Sequence, residues 1–133
     1  MAGSFSDYLE DKVLKHVFTN TAYTPAATLY VALYTAAPSD TGGGTEVSTS
    51  GTAYARQAMA FTVSGTSPTQ ATNTSAVEFP TATADWGTIV AAAVFDNSST
   101  GNMLAWADLT ANKTISSGDV FRFPASSFTV TLA

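Results

Sequence analysis

The chain contains no cysteine, which excludes disulfides, thiolate nucleophiles and zinc sites built on cysteine. Its single histidine, His16, leaves no second imidazole for a transition-metal site of ordinary composition. Charged residues make up 11% of the sequence, against roughly 25% in an average soluble protein. After Asn20, lysine and arginine occur only at Arg56, Lys113 and Arg122. Acid–base, phosphoryl and metal chemistry all need clustered titratable groups, so no catalysis and no cofactor are expected. A net charge of −5 argues against nucleic acid, whose binding requires a basic patch to displace phosphate counterions. No apolar run approaches the ~18 residues of a membrane span, and Met1-Ala2-Gly3-Ser4 does not open like a signal peptide. Folding in a cytoplasm is therefore expected. There is also no internal repeat and no heptad, which speaks against a long fibrous shaft.

What the sequence does contain changes character near Asn20. Residues 1–20 read as an amphipathic helical arm, with the helix itself over Ser4 to Phe18. Ser4 or Ser6 is suited to cap it, acidic Asp7, Glu10 and Asp11 come early, and Lys12 and Lys15 come later, as the helix dipole favours. Phe5, Leu9, Val13 and Val17 recur every four residues and form an apolar stripe, widened by Leu14 and Phe18. Pro25 cannot continue a helix. Residues 21–133 are dominated by Thr, Ser, Ala, Gly and aromatics and break into short strand-like runs.

Those runs are Thr28–Thr35, Tyr54–Val63, Ala76–Phe79, Trp86–Phe95, Met103–Leu109, Lys113–Ser116, Val120–Phe123 and Phe128–Leu132. The first is apolar on both faces, which predicts a central strand. Pro38 to Gly51, with Gly42, Gly43 and Gly44, reads as a flexible loop. Ser64 to Asn73 reads as a polar loop, and Ser117-Gly118-Asp119 as a tight turn. The expected fold is all-β: a single antiparallel β-sandwich, jelly-roll-like, of about eight strands, with one short N-terminal α-helix. The alternating apolar positions predict a core of Leu29, Val31, Leu33, Ile89, Val94, Leu104, Trp106, Val120, Phe128 and Val130.

Each potential site has a plainer alternative. His16 lies at the edge of the apolar stripe, where packing is commoner than ligation. Asp96 to Asn102 departs from the calcium-loop pattern at Ser98 and Thr100 and reads better as a hairpin turn. The glycine triplet lacks the lysine of a phosphate loop. Asn73, Asn97 and Asn112 match glycosylation sequons but suit turns. Trp86, Trp106, Tyr30, Tyr34 and Tyr54 would serve a sugar-stacking face, yet such residues more often fill a β core.

Thr28-Leu-Tyr-Val-Ala-Leu-Tyr-Thr-Ala-Ala-Pro38, Trp86-Gly87-Thr88-Ile89, Phe95-Asp96, Gly101-Asn-Met-Leu-Ala-Trp106 and Ser117-Gly118-Asp119 together carry a resemblance. The chain resembles a family of small virion proteins of tailed bacteriophages, members of which are commonly described as tail-fibre-like. The resemblance covers nearly the whole length and implies a non-enzymatic structural role in the virion. Within that role a compact β-domain with a helical arm favours a capsid decoration (cement) protein, which binds and stabilises the outer shell. The expected partners are then the major capsid protein and further copies of the chain itself, as a homo-oligomer such as a trimer. Phe5, Leu9, Val13, Val17, Gly42, Gly43 and Gly44 are the candidate interface residues. A tail fibre or connector component is the alternative, and a glycan-binding module for host recognition the third reading.

Overall fold

The computed structural model describes residues 2–132. In chain order the elements are β1 (Ala2–Phe5), α1 (Asp7–Phe18), β2 (Tyr30–Ala36), β3 (Thr45–Glu46), β4 (Gln57–Ala58), β5 (Phe61–Ser64), β6 (Thr69–Asn73), β7 (Val77–Glu78), β8 (Gly87–Phe95), β9 (Met103–Ile115), β10 (Arg122–Phe123) and β11 (Thr129–Leu132). The protein is all-β and sandwich-like with one short helix. Its main sheet runs β3-β2-β8-β9-β1-β11-β6-β5, with β4 also paired to β2, and β7 and β10 form a separate ribbon.

β1 is the junction of the architecture. Ala2 and Gly3 pair in parallel with Thr129 and Val130 of β11. Ser4 and Phe5 pair antiparallel with Trp106 and Ala105 of β9. Four residues thus stitch the β2–β8–β9 layer to the β11–β6–β5 layer. The main core lies between the layers, where Val31, Leu33, Ile89 and Val94 meet Phe128 and Val130. One end is filled by aromatic rings: Phe79 contacts Tyr54, Trp86, Phe121 and Phe123 at centroid distances of 6.0, 6.3, 5.9 and 6.4 Å. Such contacts add to the area they bury.

β2 is central, as its two apolar faces predict. The face opposite the main core carries a second buried cluster, Ala32, Tyr34, Ala91, Ala93, Phe95 and Met103, with Trp106 packed on it. The small alanines let the first turn of α1 and the 39–44 loop lie close over this face. Two bonds fix them there: the Asp7 N–H donates to the Asp40 carbonyl at 2.9 Å, and Trp106 Nε1–H donates to Asp40 Oδ1 at 2.8 Å.

Several expectations are corrected. The helix begins at Asp7 and not at Ser4, because the main chain before it is committed to the sheet. Ser6 is buried, donates its N–H to the Leu104 carbonyl and its hydroxyl to the Met103 carbonyl, and caps α1 by accepting from the Leu9 N–H. Half of the expected polar loop 64–73 is a strand, β6, whose ladder partners on both sides supply what its polar sequence does not advertise. The runs at 103–109 and 113–116 are one strand, held continuous because Ile115, Thr114 and Lys113 pair with Gly87, Thr88 and Ile89. Val120 is 44% exposed, and Trp106 is only half-buried. The 42–44 glycines all have positive φ. At Gly44 a Cβ would sit 2.6 Å from the Ala36 carbonyl oxygen, so this glycine answers a close backbone approach.

Candidate functional site

The seven residues singled out by the sequence are not brought together. Phe5 and Leu9 point inward, lining an apolar cavity of about 260 Å³ shared with Leu29, Phe61, Leu104 and Val130. Val13 is half-buried. Val17 is 63% exposed, flanked by Leu14 and by Phe18 at 77%. The stripe therefore divides: its first half closes the fold and its end stands clear of it. Gly42 and Gly43 line a different feature, a cleft over the second apolar cluster, while Gly44 is packed against the backbone of residues 36–38.

That cleft has a volume of about 600 Å³. Its floor is Tyr34, Phe95 and Met103 from the three central strands. One wall is the start of α1 with Asp7 and Tyr8, another is the Asp40–Gly43 turn, and the third is Arg56 with the Thr100–Asn102 corner. Each wall is locally determined. The Asp40 turn is closed by reciprocal bonds between the main chains of Ser39 and Gly42, both 2.9 Å. The Asn102 corner is held by Asp96, which accepts from the Asn102 N–H at 2.7 Å and from its side-chain amide at 3.0 Å. Gly101 is required there, since its φ is +78° and a Cβ would lie 2.5 Å from Asp96 Oδ1.

Arg56 ties the third wall together. Nε and Nη2 form a fork on Glu46 at 2.9 and 2.8 Å, and Nη1 donates to the Asn97 and Thr100 carbonyls at 3.1 and 2.7 Å. The guanidinium stacks 3.7 Å above the centre of the Phe95 ring. Burial alone would lower its pKa, but the hydrogen bonds and charge of Glu46 prevail and the net direction is up. Glu46 also accepts from the Tyr54 hydroxyl at 2.7 Å, and that hydroxyl accepts from the Leu33 N–H at 3.0 Å. Burial, and then the neighbouring Glu46 carboxylate, push the Tyr54 phenol far up. Burial likewise raises Tyr34. Arg56, the one cation among the lining residues, is committed to four acceptors; Lys12 lies outside the lining, with Nζ 5.4 Å from the centre of the Tyr8 ring. The carboxylates of the cleft, Asp7 and Asp40, make it an acceptor-rich surface.

His16 does not line the cleft; its Nδ1 accepts from the Tyr23 N–H at 3.3 Å and holds the turn after α1. Among the described residues no group of three His, Asp or Glu side chains is placed to hold a metal, and no helix is long and apolar enough to cross a membrane. The Asn73 sequon is inaccessible: its side chain is fully buried, donates to the Ser75 and Pro124 carbonyls and accepts from the Phe128 N–H. Trp86 belongs to the core, with its Nε1–H on the Thr52 carbonyl. Sequence reasoning missed Arg56, Glu46, Tyr34 and Asp40 as a group. The available signal was Arg56 itself, a cation interrupting an expected strand in the region after Asn20, where the only other lysine or arginine residues are Lys113 and Arg122.

The family model for the podophage GP4 fiber I protein gp80 matches residues 4–131, and the chain belongs to that family. No curated protein is matched.

Proposed function

We propose that this member of a podophage fibre family is a compact, non-catalytic fibre subunit, a tip or connector, that assembles with further copies of itself. The observation that carries the reading is the family match over residues 4–131. The build agrees with it: two apolar clusters back to back across one sheet make a compact unit, and the sequence has no repeat from which a shaft would grow. The end of α1 is suited to subunit contact, because Leu14, Val17 and Phe18 are exposed together on a helix that otherwise closes the fold. Apolar groups displayed on one turn lose water favourably when a neighbour covers them. The capsid-decoration role favoured on sequence grounds uses the same compact build and separates from the fibre reading by number and place. Quantitative mass spectrometry of purified virions, with antibody labelling in the electron microscope, tests it. A few to tens of copies per particle on the tail are expected; hundreds on the head would replace the fibre reading with decoration.

A further inference from the structure

We infer that the cleft over the outer face of β2, β8 and β9 is a binding site for a neutral saccharide. Its volume of about 600 Å³ lies within the ~300–1,000 Å³ of small-ligand sites. The floor carries the more telling feature. Tyr34 is only 5% exposed, yet its hydroxyl has no hydrogen-bond partner among the described residues. No side-chain polar atom among them is both sealed and unpaired, so this oxygen opens onto the cleft that Tyr34 lines. A polar group held at the bottom of an apolar floor with no protein partner is suited to a ligand hydroxyl, because a site that pairs such a group gains and one that leaves it dry loses.

The walls define what kind of ligand. The Asp7 carboxylate has no hydrogen-bond or ion-pair partner among the described residues, Asp40 engages one oxygen with Trp106, and Asn102 engages its amide nitrogen with Asp96. This leaves acceptors on both sides of the cleft. Vicinal hydroxyls donate to carboxylate and amide oxygens. Tyr8 adds a half-buried ring at the rim, with Lys12 Nζ 5.4 Å from its centre, so the aromatic edge and the Lys12 ammonium border the cleft together. Anionic ligands are disfavoured within the cleft, since Arg56 is already paired with Glu46 and two aspartates among the lining residues would repel them, against the single Lys12 ammonium over the Tyr8 ring at the rim. The hydrogen bonds that fix each wall exist without a ligand, so little ordering opposes binding.

The inference does not depend on where in the virion the chain sits: copy number decides the location, and titration decides the cleft. The experiment is a saturation-transfer and chemical-shift NMR titration of the full chain with maltotriose, chitotriose and, as the anionic control, sialyllactose. At least one neutral trisaccharide is expected to bind, with shifts at Tyr34, Asp40 and Asn102. Tyr34→Phe removes only the unpaired hydroxyl and Asp7→Asn only an exposed charge, so both variants should fold. Each should weaken binding about 3- to 10-fold. Absence of binding by both neutral sugars, stronger binding of sialyllactose, or affinity unchanged in both variants would overturn the assignment.

Discussion

Arg56 and Glu46 stand out in a chain this poor in charge, and the bonds they make show what they do. The pair is no ordinary surface ion pair: the fork is bidentate and the Arg56 and Glu46 side chains are 8% and 25% exposed. It positions the 97–100 loop, and removing either partner would strand a largely buried charge. Its neighbour Tyr54 gives it a measurable signature. The Tyr54 phenol is raised by burial and by Glu46, so folding favours the protonated form. The associated stability is complete below the ordinary tyrosine pKa of about 10 and is lost as pH rises beyond it. Urea midpoints followed from pH 8 to 12 should therefore fall along a steep alkaline limb. Tyr54→Phe should lower stability at pH 8 by about 1–3 kcal/mol, because Glu46 and the Leu33 N–H each lose a partner, and should make the limb shallower. Parallel limbs in the two proteins would refute this account. None of the Arg56–Glu46–Tyr54 group was legible from spacing, for Glu46 and Arg56 lie ten residues apart across a mostly polar stretch with neither helical nor strand period. Buried Asn73 was equally opaque: in sequence a sequon suits a turn, and only the fold reveals three main-chain groups converging on its amide.

At the scale of elements, what could be read depended on whether a segment carried its own pattern. β2 and β8 did, through unbroken apolar runs, and so did α1, through its four-residue period and its cap at Ser6. β6 did not, because Thr69-Gln-Ala-Thr-Asn73 has no apolar face; its strand state comes from β5 and β11 on either side. The far end of β9 was read as a separate run, Lys113–Ser116; what stayed hidden was its join to Met103–Leu109, since the linking residues 110–112 are exposed and carry no apolar pattern. In α1 the period was right but did not reveal that one stripe serves two purposes. Leu9→Ala should cost about 1–2 kcal/mol, the lower part of the range for apolar truncation, as Leu9 is half-buried. Replacing Leu14, Val17 and Phe18 together by serine should alter monomer stability by no more than about 1 kcal/mol, as exposed changes do, while lowering self-association in sedimentation-velocity runs. Association that persists in the triple variant would locate the subunit contact elsewhere.

At the scale of the whole molecule, β1 determines what kind of object this is. The sequence presents residues 1–20 as an appendage, an inference drawn from helical period and charge. Helical period cannot register that the residues before the cap pair with β9 and β11, since pairing across a hundred residues leaves no local trace. With β1 in place, β9 and β11 are both interior to one sheet, and the first and last strands are hydrogen-bonded to each other. Removing residues 2–6 would take away both ladders and the bonds of Ser6, expose edges on the two layers at once, and uncover the apolar cavity under Phe5 and Leu9. Such a truncation should abolish the cooperative thermal transition seen by circular dichroism in the intact chain and leave an aggregation-prone product. The serine variant of the α1 end should melt as one unit near the parent temperature. A truncated protein that still melts cooperatively within a few degrees of the parent would mean that the two layers hold together without β1, and that residues 1–20 are an arm after all.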